Sequence, residues 1–282
     1  MTTAWQEWTA DDAANWIAAP TADDDKYTRG VLGVVTGSSD YPGAAVLGVE
    51  AAHRAGVGMV RYIGRRTLRQ AVLARRPEAV TVAGRVQAWL LGSGIDQGRR
   101  SSVLLGDLEH AFTERVPVVL DAGALDLVGT RTAPTVITPH ARELAKLLTS
   151  RELPTSVDEV RADPGGWAER AAKELGVAVL LKGAVTHVCD PDGDRYTVTA
   201  PTHWLATAGS GDVLGGILGA LAATHHRELA TNATALTALA ATASWVQGEA
   251  ALRASATVGG GPVTALDIAT AVPAVIGALL ER

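Results

Sequence analysis

The chain is poor in cysteine, phenylalanine and lysine, with one Cys, one Phe and four Lys among 282 residues. A lone Cys189 excludes an intramolecular disulfide and fits a reducing cytoplasm. Aromatic residues make up only 4%, so the core has to come from Ala, Val, Leu and Ile. No long run of one charge is present, and the formal net charge is −5. That balance argues against a nucleic-acid partner, which selects a basic domain or stripe. The seven histidines show no H-E-x-x-H spacing and have no cysteine pair to complete a zinc site, so no metal-ligand set is nominated. G-x-S-x-G is missing. A Walker A loop is missing too, because none of Lys26, Lys146, Lys173 and Lys182 completes G-x-x-x-x-G-K-[ST]. The amino terminus, MTTAWQEWTADDAANW, lacks the basic-then-apolar order of a secretory leader. The longest apolar run, Val213 to Ala223, is too short to cross a bilayer. The expectation is a soluble, cytoplasmic enzyme without nucleic-acid or membrane partners.

What is present is an alternation. Residues 1–25 are polar and acidic and read as an amino-terminal extension, a helix and a loop. From residue 30 onward, short β-branched runs alternate with Ala/Leu-rich helical stretches, which predicts βαβ units on a parallel sheet. Strands are expected at Val31–Val35, Gly58–Ile63, Ala79–Val82, Ala88–Leu91, Val116–Leu120, Thr135–Ile137, Val177–Leu181 and Thr186–Cys189. Another, Arg195–Thr199, follows the turn PDGD and closes a hairpin. Helices are expected at Ala44–Ala55, Thr67–Ala74, Ser101–Glu114, Ala141–Leu148, Gly166–Leu175, Asp212–Ala223, Ala233–Arg253 and Thr264–Leu280. The last three are consecutive, so a helical group closes the chain. The one weak linker, VGGGP at 258–262, falls between two helices, and residues 1–282 read as a single domain.

The strand ends carry the most information. Five strands run into TGSSDYPG, GSGIDQG, DAGALD, TPHARE and KGAVT. In open parallel sheets ligands bind at the carboxyl ends of strands. Any one such loop is explained by turn and cap chemistry. Five together predict a crevice lined by small and polar residues.

The stretch TAGSGDVLGGILGALA, 207–222, joins a glycine turn to an apolar helix. Backbone N–H groups of Gly209, Ser210 and Gly211 at a helix mouth form an anion hole that needs no lysine. Asp212 in the first turn has two readings. It is an acid that suits the helix dipole, or a general base taking a hydroxyl proton beside a held phosphoryl group. The dipole is expected to keep it ionised. Lys182 ends an apolar strand and either leaves the core or meets a nucleotide with the loop after it. His140 stands at a helix start, with Thr138 as the candidate cap. GSGIDQG, 92–98, is one residue too long for G-x-G-x-x-G and reads equally as a tight turn. Cys189 reads as core, and His225-His226 as cations at a helix end.

Taken in order, VVTGSSDYPGAAVLGVEAAHRAGVGMV, LLGSGID, VVLDAGALDL, ITPHAREL, LLKGAVT and TAGSGDVLGGILGALA resemble the ADP-dependent NAD(P)H-hydrate dehydratases over about residues 26–280. That family belongs to the ribokinase-like superfamily. The implied fold is α/β, a central, mostly parallel sheet between two helical layers. The implied substrate is NADH or NADPH hydrated at C6 of the nicotinamide ring. ADP, with ATP as the alternative, gives its terminal phosphoryl group to that hydroxyl, and elimination of phosphate restores NAD(P)H and leaves AMP. The resemblance implies Mg²⁺, a homotetramer, and a separate epimerase for the other epimer, residues 1–25 being too few for the fused epimerase domain of many members. It assigns Asp212 as the catalytic Asp. Gly211 and Lys182, Gly183, Ala184, Val185 and Thr186 match positions that contact the adenine nucleotide. Ala44, Gly94, His140 and Asp212 match positions that contact the hydrated dinucleotide. The chain departs from the pattern in G-S-G-D for G-T-G-D, in Gly92-Ser93-Gly94 for a frequent Gly-Pro-Gly, and in HWLATA, which lacks a frequent Asn.

Two alternatives stand beside this reading. One is a vitamin-precursor or sugar kinase of the same superfamily, which would release the phosphorylated product. Ala206 stands where sugar kinases usually carry the Asp of D-T-x-G-A-G-D. The other is a catalytically silent nucleotide-binding protein, against which the retained glycines and Asp212 count.

Overall fold

Successive side chains of a strand point to opposite faces, and the continuously apolar central strands bury two separate cores. A computed structural model describes residues 4–129 and 133–282. Its nine strands form one sheet: β1 Gln6–Glu7, β2 Val31–Val35, β3 Met59–Tyr62, β4 Ala88–Leu91, β5 Val118–Leu120, β6 Thr135–Ile137, β7 Ala178–Leu181, β8 Val185–Cys189 and β9 Arg195–Thr199. The spatial order is β1-β9-β8-β7-β6-β5-β4-β2-β3. All pairings are parallel except those of β8, which runs against both neighbours.

Leu32, Val34, Leu90, Val119, Val136 and Leu180 point to one face. They pack on α1 Ala10–Ala14, α2 Pro42–Arg54, α8 Ser210–Thr224, α10 Ala235–Thr257 and α11 Ala265–Leu280. Val31, Val35, Trp89, Leu91, Leu120 and Val179 point to the other. They pack on α4 Ser102–Thr113, α5 Ala141–Thr149, α6 Val157–Ala162 and α7 Pro164–Leu175. Helix α3, Arg66–Arg75, lies by α2, and α9, His226–Leu229, is a short turn after α8. This is the expected helix–sheet–helix sandwich. No described helix is long and apolar enough to cross a membrane.

Three details differ from expectation. Residues 79–82 form no strand: Val80 makes a single bridge to Arg61. The Arg61 guanidinium takes the Val82 carbonyl at 3.0 Å, an acceptor that a longer ladder would use. Helix α6 was not expected. Its Ser156 and Glu159 form a reciprocal capping box, a legible S-x-x-E signal on a segment too short for periodicity. The amino-terminal segment holds β1 as well as a helix. Trp8, 7% exposed, seats its indole N–H on Thr242 Oγ1 of α10 at 3.2 Å, which carries β1 onto the sheet edge. Residues 1–3 of that segment lie outside the described residues.

The PDGD hairpin forms as expected, and Asp190 explains its hold. One carboxylate oxygen accepts N–H bonds from Asp192, Gly193 and Asp194, and the other accepts the Thr237 hydroxyl of α10 at 2.9 Å.

The adjacent arginines Arg75 and Arg76 are spent on structure. Arg75 and Arg76, with Arg54, converge on Glu50 of α2, whose side chain is wholly buried. Burial would raise the Glu50 carboxyl, but hydrogen bonds from Arg76 and Arg75 dominate and bring it down to about 2. A depressed folded-state value gives stability that is complete above the ordinary 4.5 and lost as pH falls towards 2. Glu50→Gln should therefore cost about 2 kcal/mol in urea unfolding at pH 7, less than for a fully enclosed pair because the arginines reach solvent. The difference from the parent protein should vanish at the acid end of that window.

Candidate active site

Strand order builds the site. The carboxyl ends of β7, β6, β5, β4 and β2 are consecutive in the sheet, so the five loops singled out in the sequence lie side by side. They are stitched together by backbone bonds: Lys182 N–H to Pro139 O, Thr138 N–H to Leu120 O, Asp121 N–H to Leu91 O, and Gly37 N–H to Ser93 O, all 2.7–3.0 Å.

Helix α8 delivers Asp212 to the middle of this row. Its cap, Gly209, has φ +88°, and a Cβ there would lie 2.4 Å from Leu47 Cδ1. Only glycine makes this turn without strain. The Ser210 N–H bonds back to Thr207 O at 3.3 Å, whereas no described backbone carbonyl takes the N–H of Gly209 or Gly211. Of the three expected anion-hole donors, these two remain for a ligand. The Ser210 carbonyl is fixed by Gln247 Nε2 of α10 at 2.6 Å.

The residues just before Asp212 border a cavity of about 340 Å³. Lys182, Gly183, Ala184, Thr186, Ser210 and Gly211 line it. Val185 does not; it is the first residue of β8 and 39% exposed. A second crevice, of about 370 Å³, reaches Tyr41, Ile95 and Glu143. Ala44, Gly94 and His140 do not line it, although Gly94 directly precedes Ile95 and His140 shares a capping box with Glu143. A Cβ on Gly94 would fall 2.5 Å from that of Ala44, and His140 bridges to Lys182 through the backbone. Of the nominated residues, six thus share one cavity, while Ala44, Gly94, His140 and Asp212 line neither space.

The electrostatics rest on residues that sequence reasoning did not single out. Lys182 Nζ bonds Asp121 Oδ1 at 2.9 Å and lies 3.8 Å from Glu143 Oε2. Burial opposes its charge, but Asp121 and Glu143 outweigh this and hold the ammonium above its ordinary value. Thr138 is not the helix cap: its hydroxyl goes to Asp121 Oδ1 at 2.8 Å. His140 caps α5 instead, Nδ1 accepting the Glu143 N–H at 3.1 Å. The imidazole is the better placed acceptor because Thr138 still belongs to the strand end. Ser93, 3% exposed, donates its hydroxyl to Asp212 Oδ1. Burial pushes the Asp212 carboxyl above the usual 3.8; Ser93 works against this, Asp121 adds to it and Lys182 opposes it. The expected lowering by the helix dipole is thus outweighed by desolvation. DAGALD and GSGIDQG had marked the segments of Asp121 and Ser93, but only the fold shows that they face Asp212. Cys189 is buried core, its thiol pushed up to about 12 by burial.

A family model described as NAD(P)H-hydrate dehydratase matches residues 32–274. The chain belongs to the NAD(P)H-hydrate dehydratase family. It is 46% identical over 225 residues to the bifunctional NAD(P)H-hydrate repair enzyme Nnr of Mycobacterium tuberculosis, covering 76% of this chain and 45% of that protein. The chain therefore spans about half the length of such relatives. It is 38% identical over 218 residues to the ADP-dependent (S)-NAD(P)H-hydrate dehydratase of Neisseria meningitidis, covering 71% and 72% of the two chains. Among solved structures, the ADP/ATP-dependent NAD(P)H-hydrate dehydratase of Bacillus subtilis, co-crystallised with ATP and Mg²⁺, aligns with TM-score 0.83 over 98% and 99% of the chains at 24% identity. A ribokinase-like superfamily protein from Enterococcus faecalis aligns with TM-score 0.81 over 99% and 97% at 21% identity. These two likenesses establish the ribokinase-like fold.

Within this family member, the glycine turn is the most exposed point of failure. Gly209→Ala adds a left-handed strain of about 1–3 kcal/mol and pushes on Leu47. Urea unfolding should show the variant less stable than the parent protein by about that amount. Equal stability would show that the turn accommodates a side chain.

Proposed function

We propose that the protein is an ADP-dependent (S)-NAD(P)H-hydrate dehydratase, a lyase that repairs hydrated NADH and NADPH. The observation that carries this reading is one half-buried carboxylate, Asp212, bonded by Ser93 of the loop after β4 and close to Lys182, which with Gly211 lines the cavity. In this reading the carboxylate stands between the nucleotide and the dinucleotide, which suits transfer of a group from one ligand to the other. The family membership favours dehydration over release of a phosphorylated product.

In this reading ADP lies along Lys182–Thr186, with Gly211 and Gly209 N–H groups on its terminal phosphoryl group. The substrate C6 hydroxyl attacks that phosphorus while Asp212 takes its proton. The phosphorus–oxygen bond to AMP breaks, and AMP leaves with the electron pair. Phosphate then departs from C6 with the carbon–oxygen pair, the neighbouring ring carbon gives up a proton, and the double bond of NAD(P)H returns. Lys182 offsets charge on the phosphates. Among the described residues no group of three or more His, Cys, Asp or Glu could hold a metal. Mg²⁺, which the resemblance implies, would offset charge on the transferring group. ATP is the alternative donor. A homotetramer, a cytoplasmic location and a separate epimerase for the other epimer complete the reading. Exposed Val103 and Leu105 of α4 offer apolar surface for assembly, which light scattering tests.

Purified protein given hydrated NADH, ADP and Mg²⁺ should regain the absorbance of NADH and release AMP. No recovery with either ADP or ATP would overturn the assignment. Asp212→Asn should abolish turnover while ADP still binds; an active variant would remove Asp212 as the base.

The pH profile has a definite sign. A base works ionised, so turnover falls as pH drops through its value. Because Asp212 is raised above 3.8, the acid limb of kcat/KM should lie at higher pH than for an ordinary aspartate. A profile flat down to pH 4 would contradict this.

A further inference from the structure

We propose that Ser93 is the positioning residue for the general base, anchoring one oxygen of Asp212 so that the other is left to take the substrate proton. The inference rests on the reading of Asp212 as that base.

Ser93 stands between two glycines just past β4, and its own backbone is held, the carbonyl accepting the Gly37 N–H at 2.7 Å. Its hydroxyl crosses to α8 and donates to Oδ1 of Asp212, joining residues 119 apart in sequence. Among the described residues nothing hydrogen-bonds Oδ2. A Cβ at Gly209 would lie 3.7 Å from Oδ2, and one at Gly211 would lie 3.6 Å from Lys182 Nζ. Oδ2 therefore faces the glycine turn where the phosphoryl group is read to sit, and Oδ1 faces away towards Ser93. A carboxylate tied at one oxygen cannot rotate freely about Cβ–Cγ, so the lone pairs of the other stay aimed.

The bond also has a chemical direction. An ionised carboxylate only accepts, so Ser93 must donate, and donation favours the charged form. The other groups around Asp212 are Asp121 at the end of β5, which disfavours its charge, and Lys182 at the end of β7, which favours it. Glu143 of α5 faces Lys182 rather than Asp212. Ser93 is the one of these that bonds Asp212 directly. A proline at this position, frequent in the resembling pattern, would have neither hydroxyl nor N–H to offer. The device therefore depends on the residue by which this chain departs from that pattern.

The test titrates the carboxylate itself. Carbon-13 carboxyl NMR of the full chain, with Asp212→Asn to assign the signal, follows Asp212 without substrate in the parent, Ser93→Ala and Ser93→Thr proteins. Loss of the donor should raise the Asp212 midpoint by about one pH unit in Ser93→Ala. Ser93→Thr, which keeps the hydroxyl, should restore it. The acid limb of kcat/KM should move up with the midpoint, while KM for hydrated NADH at neutral pH changes by less than about threefold, as for a group that acts on the base rather than on binding. A midpoint unchanged in Ser93→Ala overturns the proposal whatever activity does. A midpoint that moves while the acid limb stays overturns the reading of Asp212 as the base, a distinct failure.

Discussion

Asp212 reaches the row of strand ends only because α8 lies almost in contact with its neighbours. A Cβ at Gly216 would sit 2.3 Å from the Gly48 carbonyl of α2. Cβ atoms at Gly215 and Gly219 would press on Leu90 and Leu32 of the sheet at 3.1 and 2.9 Å. Each glycine costs a helix about 1 kcal/mol against alanine. The compensation is position: the helix sinks between α2 and the sheet until its first turn is level with the loops after β4 and β7. A bulkier helix would stand off, and the carboxylate would move with it.

The second constraint is charge. Three carboxylates, Asp121, Glu143 and Asp212, gather around one ammonium, Lys182. The arrangement is unequal. Asp121 takes the lysine directly and is braced by Thr138. Asp212 feels the lysine without bonding it and is balanced instead by a neutral hydroxyl. One carboxylate is committed to an ion pair and another keeps an oxygen free of hydrogen bonds among the described residues, a difference between like groups set by environment.

Much of this was legible in the residues. Parallel strands, closing helices and the hairpin follow from periodicity and turn chemistry, and the glycine turn before Asp212 announces a helix start. What escaped depends on contacts across long separations. Ser93 is one small residue between glycines until α8 is laid beside it. Thr138 looked like a cap because it precedes a helix, but its hydroxyl finds a carboxylate seventeen residues earlier in the chain. Gln247 lies within a long apolar helix and is defined only by the Ser210 carbonyl that it meets. Residues 79–82 carry a strand-like pattern, yet an arginine side chain takes the acceptor first. Pattern reports which face is buried; it does not report what a polar atom will meet there.

The hairpin after β7 has a bearing on the cavity at its base. Asp190 pins the far end with four bonds. At the near end, Ala200 N–H closes on Ala184 O at 2.9 Å, and Lys182 N–H is tied to Pro139 O. The loop 182–186 is thus a beam clamped at both supports rather than a flap. In the proposed reading, residues along it would meet a ligand already in register, leaving little ordering entropy for binding to overcome.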